Sequence, residues 1–76
     1  MELTINGQRR TLADGTTVAA LLQHLGLQPE RVVVEVNLQI IKRDQRQAAV
    51  LRAGDVVEIV QFVGGGMRLI PLEEIG

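Results

Sequence analysis

Polar and apolar residues alternate near the start of the chain, over Glu2–Ile5, which is the period of a strand with one buried face. Asn6-Gly7 follows, and this pair suits the positive φ angles of a type I′ hairpin turn. Residues 8–12 then read as the returning strand. The pattern predicts a β-hairpin that turns at Asn6-Gly7.

The next segment carries four apolar residues at the spacing i, i+3, i+4 and i+7, which places them on one face of a helix. They are Val18, Leu21, Leu22 and Leu25. Thr16 or Thr17 can cap the helix through its hydroxyl oxygen. Gly26 can end it, because glycine enters the left-handed conformation without a steric cost. One amphipathic helix is therefore predicted after the hairpin.

Three further extended segments follow the helix. The β-branched run at 32–36 and the longer run at 56–63 are predicted strands, and 40–41 is a short one. The stretch 43–51 fits no clear period, and 53–55 is a turn. The helix must cover one face of the sheet, and the last strand can return to pair parallel with the first. The predicted fold is α+β, a mixed sheet packed on one main helix in the β-grasp arrangement of ubiquitin.

Composition agrees with one small globular domain. The chain has 76 residues, 46% of them hydrophobic, and its only break in composition comes at Gly64. We predict a domain at 1–63 and a flexible glycine-rich tail at 64–76. No apolar run approaches the roughly 20 residues of a membrane span, and the N-terminus lacks the features of a signal peptide. We therefore expect a cytoplasmic protein that does not bind a membrane. With a net charge of −1 and no Tyr or Trp, we expect no binding to nucleic acid.

The sequence contains few residues or motifs that are typical of a catalytic site. His24 is the only histidine, and a lone imidazole within a helical pattern is more often a surface residue than a general base. There is no cysteine, and no spacing typical of a metal site, a nucleophile elbow or a phosphate-binding loop is present. We therefore expect no enzymatic activity and no bound metal or cofactor.

Several segments, taken in order, resemble the ThiS family of sulfur carriers. The likeness covers residues 1–66 and depends on the ordered set, not on any single piece. The segments are Ile5-Asn6-Gly7, Thr17-Val18-Ala19-Ala20-Leu21-Leu22, Leu25-Gly26-Leu27, residues 34–43, residues 51–60 and Gly65-Gly66. The spacing of Asn37, Ile40 and Arg43 favours this family over the related small subunit of molybdopterin synthase.

The resemblance implies a protein that serves as a reagent. A ThiF-like enzyme would adenylate the Gly66 carboxylate with ATP and magnesium, and a persulfide-derived sulfur would displace AMP to leave a thiocarboxylate. The thiazole synthase ThiG would use that sulfur in thiamine biosynthesis. Gly64 and Gly65 would thread a narrow channel, because residues without Cβ adopt whatever backbone the channel requires. A flexible linker is the alternative interpretation of the glycine triplet.

Gly66 is followed by Met67 in this sequence, whereas the chemistry of the family needs a free glycine carboxylate. As encoded, the chain cannot be adenylated at Gly66. The resemblance to carriers that are made with a removable extension leads us to expect a protease that releases residues 67–76. The alternatives are a carrier that has lost the chemistry and an extension that is itself a docking segment.

Strand alternation in the last strand predicts a partner surface. If Val57 and Ile59 face the helix, the alternate residues face outward, and a shift of one residue would invert the assignment. The outward set is Glu58, Val60 and Phe62. Exposed apolar side chains beside the tail would suit a partner protein. The alternative is that Phe62, the sole aromatic residue, closes the small core.

Two other functions fit the same residues. The carrier could deliver sulfur to another product, such as molybdopterin or an amino acid. It could instead be a ubiquitin-like modifier or binding module that works without sulfur chemistry. Protein conjugates would identify the modifier.

Overall fold

The computed structural model describes residues 1–63 and 66–69. Within these residues the chain forms one α-helix, two short 3₁₀ turns and six strands. The strands are β1 (Glu2–Ile5), β2 (Gln8–Thr11), β3 (Val32–Val36), β4 (Gln39–Ile40), β5 (Val56–Val63) and β6 (Gly66–Leu69). The helix α1 is Val18–His24, and the 3₁₀ turns are Pro29–Arg31 and Arg43–Gln45.

The predicted hairpin is confirmed. Strands β1 and β2 pair antiparallel, with Ile5 opposite Gln8. Between them Asn6 has φ 48° and Gly7 has φ 80°. Positive φ at both residues is what a type I′ turn requires, and asparagine followed by glycine tolerates it best.

The helix α1 begins and ends where the sequence predicts. The Thr17 hydroxyl oxygen accepts a hydrogen bond from the Ala20 N–H at 3.1 Å, which caps the N-terminus. Gly26, with φ 72°, follows the last turn in the left-handed conformation. Val18, Leu21 and Leu22 of the predicted apolar face are buried, whereas Leu25 is only half-buried because it lies past the last helical turn. No helix in the described part of the chain has the length and apolarity to cross a bilayer.

The six strands form one mixed sheet. Five of them follow the order β2-β1-β5-β3-β4, with β5 at the centre, and β6 also pairs with β5. Strand β5 pairs parallel with β1 and antiparallel with β3. The parallel return of the last long strand to the first is therefore confirmed. With α1 supplying the other half of the core, the arrangement is the expected α+β, β-grasp type.

The core lies between the sheet and α1. Val57 and Ile59 of β5 are both 0% exposed, and they meet the buried face of the helix. Strands β1 and β3 contribute alternate residues to the same layer, as a sheet with one buried face requires. The remaining buried apolar side chains are Leu3, Ile5, Val18, Leu21, Leu22, Val32, Val34 and Leu51.

The segment without a clear period is held by a buried arginine. The Arg46 guanidinium donates to the carbonyl oxygens of Pro29 and Val32, both at 2.7 Å. Burial lowers the pKa of Arg46, and the neighbouring charge of Arg43 lowers it further. Arg46 thereby ties this segment to the start of β3.

The sequence predicts a flexible tail from Gly64 onward, but Gly66–Leu69 form the strand β6. Gly66–Leu69 pair antiparallel with the second half of β5, from Val63 opposite Gly66 to Val60 opposite Leu69. The physical reason is that β5 extends to Val63, whereas β1 pairs with it on this edge only as far as Val57. The open backbone groups beyond that point can pair with a following extended segment. The rest of the predicted tail, Gly64, Gly65 and 70–76, lies outside the described residues.

Candidate functional site

The face of β5 that points away from α1 has the predicted register. Phe62 is 51% exposed, while Val57 and Ile59 are fully buried. Glu58 and Val60 are half-buried on the same outer face as Phe62. Phe62 therefore does not close the core, and the alternative assignment of this residue is wrong.

Neighbouring strands extend this outer face beyond the residues that the sequence singled out. Cross-strand partners in an antiparallel pair share one face of the sheet. Val33 lies opposite Val60, and Glu35 lies opposite Glu58. On the next strand Ile40 lies opposite Glu35 and is 62% exposed. We call the six residues of this surface the outer face: Val33, Glu35, Ile40, Glu58, Val60 and Phe62.

Asn6 fixes the position of β5 within the sheet. Its side-chain nitrogen Nδ2 donates to the Ile59 carbonyl oxygen at 3.1 Å, and its Oδ1 accepts from the Ile59 N–H at 2.7 Å. The Asn6 side chain thus extends the hydrogen bonding between β1 and β5 beyond Ile5, the last residue of β1. The sequence predicts the turn at Asn6, but nothing in it points to a partner 53 positions away.

Gly66, the candidate site of chemistry, lies at the first position of β6, opposite Val63. It is exposed. Its carbonyl carbon belongs to the peptide bond with Met67, so it offers no carboxylate oxygen. Gly64 and Gly65, the residues predicted to thread a partner's channel, lie outside the described part of the chain.

Among the described residues, His24 and the acidic side chains form no metal-binding cluster. His24 is exposed at the end of α1, in agreement with a surface residue. No group of three metal-ligating side chains comes together among residues 1–63 and 66–69. The described features that bear on function are therefore the outer face and the chain that leads from it to Gly66.

Comparison with known proteins gives consistent matches over most of the chain. The model of the ThiS family matches residues 3–66. The sulfur carrier protein ThiS of Bacillus subtilis is 38% identical over 65 residues, which are 84% of this chain and 98% of that protein. A crystal structure of the thiamine biosynthesis protein ThiS from Geobacter metallireducens superimposes with a TM-score of 0.76 at 39% identity, over 87% of this chain and 100% of that one.

A longer protein also matches. A thiazole synthase of Magnetococcus marinus is 41% identical over 68 residues, which are 90% of this chain. The chain spans about a fifth of that protein, 21% of its length. A segment similar to this chain is thus part of a larger protein named for thiazole synthesis.

Proposed function

Because the chain belongs to the ThiS family, we propose that it is a sulfur carrier for the thiazole of thiamine, with the sulfur held as a thiocarboxylate at Gly66. One observation carries the proposal: the family match runs from residue 3 and stops at Gly66. The family match therefore ends at the residue where the chemistry needs a carboxylate.

The chemistry at Gly66 follows from the weakness of a carboxylate as an electrophile. A Gly66 carboxylate oxygen attacks the α-phosphorus of ATP, and pyrophosphate leaves. A persulfide sulfur then attacks the carbonyl carbon of the mixed anhydride, and AMP leaves. A thiol cleaves the remaining S–S bond, and the thiocarboxylate stays on the carrier. ATP and magnesium are bound by the partner, a ThiF-like adenylating enzyme, and the metal offsets the phosphate charge.

In these reactions the role of the carrier is to place Gly66 in the active site of the adenylating enzyme. Strand β5 is fixed on one edge by β3 and on the other by β1 and the Asn6 side chain. This rigid strand sets where the tail enters the partner. Gly64, Gly65 and Gly66 carry no Cβ, so the tail can pass through a narrow channel and adopt its backbone angles.

Residues 67–76 must leave before the reaction. The Gly66 carbonyl in peptide linkage has no oxygen nucleophile to attack ATP, and Gly66 is also paired with β5. We infer that a protease cuts between Gly66 and Met67. The ThiS family model supports this cut, because its match does not extend into residues 67–76. The match with the Magnetococcus marinus protein is longer, at 68 residues, and so continues past Gly66.

The sulfur acceptor that we propose is a thiazole synthase of the ThiG type. The Magnetococcus marinus protein supports this choice, since a protein of that name contains a segment similar to this carrier. A covalent link between two segments raises the effective concentration of each at the other. We place the whole sequence of reactions in the cytoplasm, where ATP and the partner enzymes would be available.

The test compares the full chain with a version that ends at Gly66. The shorter chain is expected to support ATP–pyrophosphate exchange with a ThiF-like enzyme and, given a sulfur donor, to gain the mass difference of sulfur for oxygen. The full chain should be inert until residues 67–76 are released. A chain that ends at Val63 is the matched control, because it lacks the glycines.

Two outcomes contradict the proposal. Either the chain that ends at Gly66 is never adenylated, or the full chain reacts without being cut. Sulfur transfer to an acceptor other than a thiazole synthase would instead identify a carrier of another pathway. Isopeptide conjugates of the adenylated form would identify a ubiquitin-like modifier.

A further inference from the structure

Two carboxylates lie directly opposite each other on the two central strands of the sheet. The register of β3 and β5 pairs Glu35 with Glu58, and both side chains lie on the outer face. Like charges in directly opposed positions destabilise a sheet. Neither carboxylate has a hydrogen bond or an ion pair within the described residues. The fold therefore holds a repulsive pair that nothing in the described chain neutralises.

One basic residue on the same side of the sheet, Arg9 of β2, already has an ion-pair partner. Arg9 lies opposite Thr4, which in turn lies opposite Val56. Its Nη1 contacts Glu2 Oε1 at 2.8 Å. Within the described residues, no basic side chain lies within ion-pair distance of Glu35 or Glu58.

A shallow depression adjoins one of the two carboxylates. It lies between the β1–β2 turn and β5, and Glu58 forms part of its wall. Its other lining residues are Thr4, Asn6, Gly7 and Val56. Val56 is 46% exposed and presents an apolar surface there. A long basic side chain fits this chemistry, because its methylene stem can cover Val56 while its charged end reaches Glu58.

Apolar side chains border the same carboxylates on the other side. Val33 and Val60 are half-buried, and Ile40 and Phe62 are largely exposed. A surface with an apolar rim excludes water from the charges at its centre, which strengthens their attraction for a partner cation. The complementary surface is therefore apolar, with one basic residue at its centre.

We propose that the adenylating enzyme of the carrier binds the outer face with a lysine or arginine seated in the depression, its charge against Glu58 and Glu35. The proposal rests on the proposed function for the identity of the partner, and on the register and the depression for the chemistry. In this arrangement the partner cation relieves the repulsion between the two carboxylates.

The proposal predicts that either of two substitutions changes stability and binding in different directions. In the free carrier, Glu58→Gln or Glu35→Gln removes the repulsion, so the thermal midpoint should stay the same or rise. Toward the enzyme, each substitution should lower the affinity by roughly tenfold to a hundredfold at low salt. It should also reduce the loss of affinity between low and high salt, because an ion pair has been removed. A residue with a merely structural role would not separate stability from binding in this way.

The experiment uses the chain that ends at Gly66 and a ThiF-like enzyme, with binding measured by titration calorimetry at two salt concentrations. Glu30→Gln is the matched control, because Glu30 is exposed in the Pro29–Arg31 turn, away from the outer face. If Glu58→Gln and Glu35→Gln bind like Glu30→Gln, or if they lower the thermal midpoint, the proposed contact is wrong. Pyrophosphate exchange by the unsubstituted carrier would then show that the proposed function still stands. No exchange and no binding by that carrier would overturn both.

Discussion

At the scale of single residues, two asparagines hold β5 from opposite edges. Asn6 bonds both backbone groups of Ile59 through its side chain. On the other edge, the Asn37 Oδ1 accepts from the Val56 N–H at 2.9 Å and its Nδ2 donates to Asp55 Oδ1 at 3.0 Å. Asn6 and Asn37 have φ 48° and 52°, a region that asparagine tolerates better than most residues. Each asparagine therefore serves both the turn and the strand.

We expect Asn6→Ala to destabilise the fold by about 1–3 kcal/mol, because the N–H and C=O of Ile59 both lose their partner. Asn6→Gly separates the causes: it loses the same hydrogen bonds but relieves the positive φ, so it should be the milder change. Urea denaturation of the two variants and the parent chain gives both differences. Equal unfolding midpoints for Asn6→Ala and the parent would show that the contact with Ile59 contributes nothing.

The same residues show what a sequence can and cannot predict. Asn6-Gly7 predicts its turn because the signal is local, and Thr17 predicts its cap for the same reason. The contacts of Asn6 with Ile59 and of Arg46 with Pro29 join residues that are distant in sequence. Such contacts depend on the packed sheet, so no pattern along the chain carries them. The outer face was predicted for β5 alone, because its other half depends on the register with β3.

At the scale of elements, the two faces of β5 differ in burial: Val57 and Ile59 are fully buried, and Phe62 is 51% exposed. Phe62→Ala removes a half-exposed side chain, so we expect little loss of stability but weaker binding to the adenylating enzyme, since aromatic residues are prominent in binding hot spots. Leu22→Ala, a change in the fully packed helix face, should instead cost about 2–5 kcal/mol of stability. Thermal melting and titration of each folded variant against the enzyme separate the two effects. Collapse of Phe62→Ala with unchanged residual affinity would contradict the outward assignment.

Strand β6 makes a further prediction about the edge of β5. The Ile59 N–H points at Asn6, so the N–H groups of Gln61 and Val63 point at the same edge, where β6 lies. We expect both amides to be protected from hydrogen exchange in the full chain and to lose protection in the chain that ends at Gly66. The Ile59 amide is the internal control, because Asn6 bonds it in both forms. Equal exchange at Gln61 in the two forms would favour the flexible tail that the sequence predicts.

At the scale of the whole molecule, folding and chemistry occupy different parts of the chain. Every residue of the described core lies between Leu3 and Ile59. The carboxylate that the proposed function requires lies at Gly66, after the core is complete. Within the described residues, the structure therefore consists of a folded platform with an exposed outer face, and Gly66 lies on an edge strand that follows the last core residue. A long periodic pattern of strands and one helix predicts the platform, whereas the use of its surface depends on the register between distant strands.

This separation predicts the behaviour of a chain that ends at Val63. Because the described core is complete without the glycines, residues 1–63 should fold cooperatively and melt within a few degrees of the chain that ends at Gly66. That shorter chain keeps Phe62, Glu58 and Glu35 but has no glycine tether to reach ATP. It should therefore bind the adenylating enzyme without being adenylated and inhibit pyrophosphate exchange competitively with the chain that ends at Gly66.

The measurement is the exchange rate at increasing concentrations of each form, with the Phe62→Ala version of the chain that ends at Val63 as a control that should inhibit less. A short chain that is unfolded would contradict the domain boundary at residue 63. A folded short chain that fails to inhibit would mean that the glycine tail, and not the outer face, supplies most of the binding.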